Sequence, residues 1–294
     1  MKKNLLIICL ILICGTQVFA QKKWYVSFNG GYALKMSPQN LQNEDLNFIF
    51  INSTYNMVSD FIIHDGSIEQ IEVSLGKGTN LTLSAGYFLN ENFGIDMGLS
   101  YLFGGKTNCK YGHYFDVGTN HFSYIHENSI SSNMFRINPS LVFTFGSKTI
   151  TPYAKFGLIL GLGSITYEFS DLEKDDYNLN EHTFVKMQMN GGIALGCNAT
   201  LGLSYNFGKT VTLFSELNLI SMSYAPTKGK IVEYIKNGKD ELHNLKTGEK
   251  EFLFLREFTI SSTDIISDNE PTKMLNYRYP FSSIGFNLGV RINF

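Results

Sequence analysis

The last twelve residues alternate without a break. Ile284, Phe286, Leu288, Val290, Ile292 and Phe294 share one parity, and Ser283, Gly285, Asn287, Gly289, Arg291 and Asn293 share the other. A period of two is the signature of a strand with one apolar and one polar face. Seven earlier stretches carry the same pattern: Trp24 to Met36, Leu75 to Leu89, Phe93 to Phe103, Asn133 to Phe145, Ile150 to Tyr167, Val185 to Phe207 and Val211 to Ile220. Short turns follow the second, fourth and sixth strands, at Asn90-Glu91-Asn92, Gly146-Ser147-Lys148 and Gly208-Lys209. Long connections, 37–74, 104–132, 168–184 and 221–282, follow the first, third, fifth and seventh.

An even number of strands with alternately short and long connections predicts an all-β chain folded as an eight-stranded antiparallel transmembrane up-and-down β-barrel with long extracellular loops. Closure would satisfy every backbone N–H and C=O in lipid. A soluble sandwich or lipocalin-like barrel would turn its apolar face inward instead. The polar face decides the direction, because Asp96, Arg136, Lys155, Glu216 and Arg291 sit on it among Asn, Ser, Thr and Gly. The chain also ends on Phe294, which suits an interfacial aromatic girdle better than water.

The other terminus supplies a route to a membrane. Lys2 and Lys3 precede an apolar run from Leu5 to Cys14, too short to span a bilayer, and Val18-Phe19-Ala20 places small residues where signal peptidase reads them. The expected organisation is a cleaved signal peptide over 1–20, cut between Ala20 and Gln21, and an outer-membrane barrel domain over 21–294.

Composition fits this class. Phe, Tyr and Gly number 24, 16 and 27, while Pro numbers 6. The net charge of −2 becomes −4 without Lys2 and Lys3, so no basic excess points to nucleic acid. Cys109 and Cys197, the cysteines left after cleavage, fall in a polar connection and a strand, and no bridge between them is expected.

Several runs carry a family resemblance: Ser74-Leu75-Gly76-Lys77-Gly78, Gly86-Tyr87-Phe88, Gly94 to Lys106, Pro152-Tyr153-Ala154-Lys155-Phe156-Gly157 and Phe214-Ser215-Glu216-Leu217. With them the chain resembles the small outer-membrane β-barrels of Bacteroidetes-type bacteria, akin to OmpA-like and OmpW-like barrels. The resemblance implies a structural anchor, a narrow channel or a carrier for small apolar compounds. It also implies that Phe294 is an assembly signal read by the barrel-insertion machinery.

Candidate chemistry starts with the five charges on the inward parity. Strand adjacency allows the pairs Asp96–Arg136 and Glu216–Arg291, which would form either a structural plug or a gate whose pairs exchange. His64, His113, His121, His126, His182 and His243 all fall in long connections, and their spacings fit no compact zinc pattern. No Gly-x-Ser-x-Gly elbow is present, so the expectation is a protein without enzymatic activity, metal or cofactor. A lipid-modifying enzyme is the rival class.

The connection 221–282 carries nine basic and nine acidic residues. In it Lys230 to Ile235, Asn237-Gly238 and Glu251 to Ile260 suggest hairpin strands above the membrane. Phe48 to Ile51 and Phe61 to Ile63 are too apolar for solvated loops. They predict packing on the barrel rim, β extensions, or a binding platform. The expected partners are outer-membrane lipid, the insertion machinery and an extracellular ligand, and the expected state is a monomer with a structural or surface-interaction role and minor small-solute passage.

Overall fold

The structure is a computed structural model that describes residues 24–36, 39–40, 61–64, 67–70, 72–117, 120–146, 149–175, 180–208, 210–259 and 269–294. The predicted cleavage site at Ala20-Gln21 and the Phe48 to Ile51 patch lie outside them. The strands used below are β1 (Trp24–Lys35), β2 (Gly78–Phe88), β3 (Phe93–Gly104), β4 (Thr107–Val117), β5 (Asn120–Thr144), β6 (Ile150–Asp175), β7 (Asn180–Asn190), β8 (Ala194–Phe207), β9 (Val211–Tyr224), β10 (Lys228–Lys236), β11 (Glu251–Leu255), β12 (Thr272–Leu275) and β13 (Ser283–Asn293).

Eight of these close into a ring of antiparallel neighbours in the order β1, β2, β3, β5, β6, β8, β9, β13 and back to β1. The closing seam runs from Tyr25 opposite Asn293 to Lys35 opposite Ser283. Beyond it the Phe294 N–H donates to the Trp24 carbonyl at 2.9 Å. No backbone edge is left within the ring, which is the condition for a sheet to sit in hydrocarbon.

Burial follows parity and gives the barrel its direction. Leu81, Leu83, Ile95, Met97, Leu99, Phe156, Leu158, Leu201, Leu203, Leu217, Phe286 and Leu288 are all exposed, while Ser27, Asn29, Ser84, Ser140, Thr200, Ser204 and Asn287 are buried. An apolar exterior around a polar interior is the reverse of a soluble barrel, and the exterior is the lipid face. Aromatic rings flank it. At the turn end Trp24 lies 4.7 Å from Tyr87 and Phe93 lies 5.3 Å from Phe143, and at the other end Tyr101 lies 4.6 Å from Phe103.

Two of the four expected long loops, 104–132 and 168–184, are largely strand, and 221–282 is so in part. β3 continues through Gly105-Lys106 into β4, and β5 and β6 run 25 and 26 residues. The predicted sixth strand is two elements, β7 and β8. Gly191 (φ +81) and Gly192 (φ +76) separate them with a backbone that side chains disfavour. Below this break β8 pairs with β6 and β9, and above it β7 pairs with β6 and β10. The result is a second sheet rising from the wall in the order β4, β5, β6, β7, β10, β11, β12, its last pair parallel. The hairpin read from Asn237-Gly238 is present, with both residues at positive φ (51° and 77°) as a two-residue turn of that type requires. The Phe61 to Ile63 stretch forms a short hairpin with 67–70.

Candidate functional site

The interior is layered along the barrel axis. At the turn end is an aromatic floor of Tyr25, Tyr153 and Phe214, all buried and inward on β1, β6 and β9. Each lies directly opposite a glycine on the neighbouring strand: Gly86, Gly202 and Gly289. A Cβ at Gly86 would lie 2.1 Å from the Tyr25 ring, and one at Gly202 would lie 2.2 Å from the Tyr153 ring. The rings therefore lie down over the glycines, as aromatics do when they cover a neighbouring glycine in a sheet.

The two tyrosines hold two carboxylates. Tyr25 Oη donates to Asp96 Oδ2 at 2.6 Å, and Ser84 Oγ donates to the same atom at 3.1 Å. Tyr153 Oη donates to Glu216 Oε1 at 2.9 Å. Lys155 stands between them, its Nζ 3.0 Å from Glu216 Oε1 and 3.9 Å from Asp96 Oδ2. Arg291 lies over the floor, with its guanidinium carbon 4.5, 5.3 and 5.5 Å from the Tyr25, Tyr153 and Phe214 ring centres. Cation–π contact of this kind strengthens when the pair is desolvated.

Asp96, Arg136, Lys155, Glu216 and Arg291 are thus all buried inside the ring, but not in the pairs that adjacency allows. Register explains the difference. Asp96 faces Ser140 and Arg136 faces Ser100, four residues apart along β5. Glu216 faces Asn287, with Arg291 four residues further toward the turn end. Lys155 reaches across the lumen to both acids, a contact between strands that are not neighbours and that no adjacency argument finds. The inward tyrosines were also missed, because only register reveals their glycine partners.

Above the charges lies a cavity of about 50 Å³ lined mainly by Asn, Ser and Thr, together with Arg136, Lys155, Asp96 and Glu216. The inward face then turns apolar. Leu102, Met134, Ile159 and Met222 fill the barrel mouth with Leu75 and Phe281, which are tucked in from the connections. The Leu75 N–H donates to the Pro280 carbonyl, and Ser132 Oγ donates to the Leu75 carbonyl, both at 2.8 Å. These bonds satisfy backbone groups of the tucked segments, which burial would otherwise penalise.

The same apolar cluster continues into the upper sheet through Ile165, Tyr167, Val185, Met187, Met189, Ile231, Phe252, Phe254 and Met274. On the sheet Lys106, Lys186 and Ser129 surround Glu168, at 2.6, 3.3 and 3.2 Å from its carboxylate. Hydrogen bonding from Lys106 is the first cause holding that carboxyl below its ordinary pKa, and Lys186 adds to it. The histidines expected in loops lie in several settings. His126 sits on β5 with Nδ1 3.0 Å from Asp171, His182 meets Ser170 on the upper sheet, and His243 lies in a short helical turn. His113 and His121 lie on β4 and β5, where register puts Asp116 opposite His121, and His64 ends the short Phe61–His64 strand. No cluster of three potential metal ligands occurs among the described residues.

The chain is similar to Ail, the attachment invasion locus protein of Yersinia pestis. Against its complex with the heparin analogue sucrose octasulfate, identity is 9%, coverage is 94% of this chain and 100% of that chain, and the TM-score is 0.31. Against Ail alone the figures are 10%, 94%, 100% and 0.32. No curated protein matches the chain. A family model, the outer membrane protein beta-barrel domain, matches residues 6–248. With that match spanning most of the closed ring, the chain belongs to the outer membrane protein beta-barrel domain family.

Proposed function

We propose that the barrel is a closed anchor and that the protein works through the sheet it raises above the outer membrane, as a surface-interaction protein without enzymatic activity. One observation carries the reading: the wall strands continue beyond the lipid face into a seven-stranded sheet whose packed apolar core is continuous with that of the barrel mouth. Anchoring alone needs strands of only about nine to eleven residues, whereas β5 and β6 run more than twice that. A rigid scaffold that holds loops and sheet edges outside the membrane is a common way to present a binding surface.

The interior supports the same reading. The aromatic floor, the Lys155-centred ion cluster and the apolar mouth leave a small polar cavity with apolar or aromatic layers at both ends, an arrangement unfavourable to solute passage. The resemblance of the quoted motifs supports placing the chain among the Bacteroidetes-type barrels. In this reading it reaches the membrane after cleavage between Ala20 and Gln21, with Phe294 as the assembly signal. Deleting Phe294 should lower the outer-membrane yield of folded protein on heat-modifiability gels, and an unchanged yield would remove that role.

Whole cells probed on arrays of glycans and extracellular proteins test the surface role. Cells carrying the full chain should bind array members that cells with residues 228–255 replaced by a short turn do not, with both proteins heat-modifiable. Identical binding patterns would contradict the proposal.

A further inference from the structure

The luminal charges do not balance. Among the described residues, Arg136, Lys155 and Arg291 face Asp96 and Glu216 inside the wall, and none of the five is more than 8% exposed. Lys155 joins both carboxylates, and Arg291 rests on three aromatic faces. Arg136, 1% exposed, has no such arrangement. Its Nε and Nη2, like those of Arg291, have no hydrogen-bond partner among the described residues, and no described carboxylate lies within ion-pair reach of it. A buried guanidinium without a counter-charge is strongly disfavoured.

Arg136 borders the 50 Å³ cavity, as do Asn80, Asn138 and Asn198, whose amide oxygens lack protein partners. An amide can present either its oxygen or its NH₂ group, so these three can turn donors toward an anion. Asn138 Nδ2 donates to Ser100 Oγ and Asn80 Nδ2 donates to Thr82 Oγ1, both at 3.2 Å, so an anion would have to compete with these long bonds. The cavity is small. One water takes about 10–15 Å³ by this measure, which leaves room for a single-atom anion with a few waters and excludes a long-chain carboxylic acid or a sugar phosphate. A single negative charge would also neutralise the lumen.

We propose that the lumen holds one monovalent halide, chloride in ordinary salt, on the Arg136 guanidinium, with the Asn80, Asn138 and Asn198 amides and trapped water completing its shell. The anion is structural. It enters as the barrel closes and replaces the carboxylate that β5 does not find, because Asp96 is already held by Tyr25, Ser84 and Lys155.

The test is the full chain refolded and crystallised in sodium bromide. An anomalous peak in the cavity, within hydrogen-bonding reach of Arg136 Nε or Nη2, is expected. A map with water alone there, or with the guanidinium turned onto Asp96, would overturn the proposal. In solution, protein refolded in sodium chloride should unfold a few degrees higher than protein refolded in sodium gluconate at equal ionic strength, by the linkage of a ligand that binds only the folded state. Arg136→Gln should abolish the difference. Equal midpoints for the native chain in the two salts would overturn the proposal even if Arg136→Gln does not fold.

Discussion

The two halves of the barrel interior repeat one arrangement and then diverge. On β1, β2 and β3 an inward tyrosine, a glycine and a carboxylate follow one another as Tyr25, Gly86 and Asp96. On β6, β8 and β9 the same sequence is Tyr153, Gly202 and Glu216. In each half the glycine gives the ring room to lie flat and aim its hydroxyl at the acid. The next strand of each half carries an arginine, but at different heights. Arg291 lies four residues on the turn side of the residue facing its carboxylate, and Arg136 lies four residues on the mouth side. Arg291 therefore stacks on the floor, whereas Arg136 sits near the cavity roof. A repeated frame with one displaced charge makes Lys155 the common counter-ion of both acids.

Removing that counter-ion should have the largest effect. Lys155→Met leaves two buried carboxylates facing each other, and unfolding in urea should show a loss of about 3–5 kcal/mol, the scale for breaking a buried ion pair from one side. Adding Glu216→Gln should return part of it, and an unaffected single variant would mean that the acids do not depend on Lys155. The halves themselves come next. Tyr25→Phe and Tyr153→Phe should each lose about 1–3 kcal/mol through a lost hydrogen bond to a buried carboxylate, with the Tyr153 change the smaller because the Lys155 ammonium still lies 3.0 Å from the same Glu216 oxygen, whereas Asp96 keeps Ser84 and a 3.9 Å approach of Lys155. Gly86→Ala and Gly202→Ala should act through the same rings. Equal losses at Tyr25 and Tyr153 would remove the distinction between the halves.

The smallest effect lies outside the membrane. Glu168 has a lowered folded pKa, so its contribution is present above the ordinary carboxylate pKa and fades as pH falls through the folded value. It is a partly exposed site that solvent screens. Glu168→Gln should flatten a shallow acid-side loss of protease protection in the upper sheet and leave the neutral-pH value nearly unchanged. An acid profile identical to that of the native chain would show that its lysine pairs do not matter.

What the sequence made legible was whatever depends on parity within one strand. The alternation in Ser283 to Phe294, and the inward placement of Asp96, Arg136, Lys155, Glu216 and Arg291, needed no knowledge of neighbouring strands. Pairing needed register across long connections, and there strand adjacency named Asp96–Arg136 and Glu216–Arg291 where the fold joins both acids to Lys155. The apolar mouth was hidden for another reason. Leu102, Met134, Ile159 and Met222 lie on the polar parity, and they read as exceptions until Leu75 and Phe281 are seen to fold in from the connections and cover them. The strands of the upper sheet carry polar residues such as Asn108, Lys110, Asn128 and Glu168 among their apolar ones, so connections such as 104–132 read as loops.

The central claim is that the barrel is shut, with a charged and aromatic lower lumen under an apolar mouth, and serves as an anchor. Planar-bilayer recording of the purified, heat-modifiable protein tests it most directly. The account predicts a quiet membrane at both polarities, with no unitary steps. Reproducible single-channel conductance from the native chain, absent from a heat-unfolded control, would contradict it.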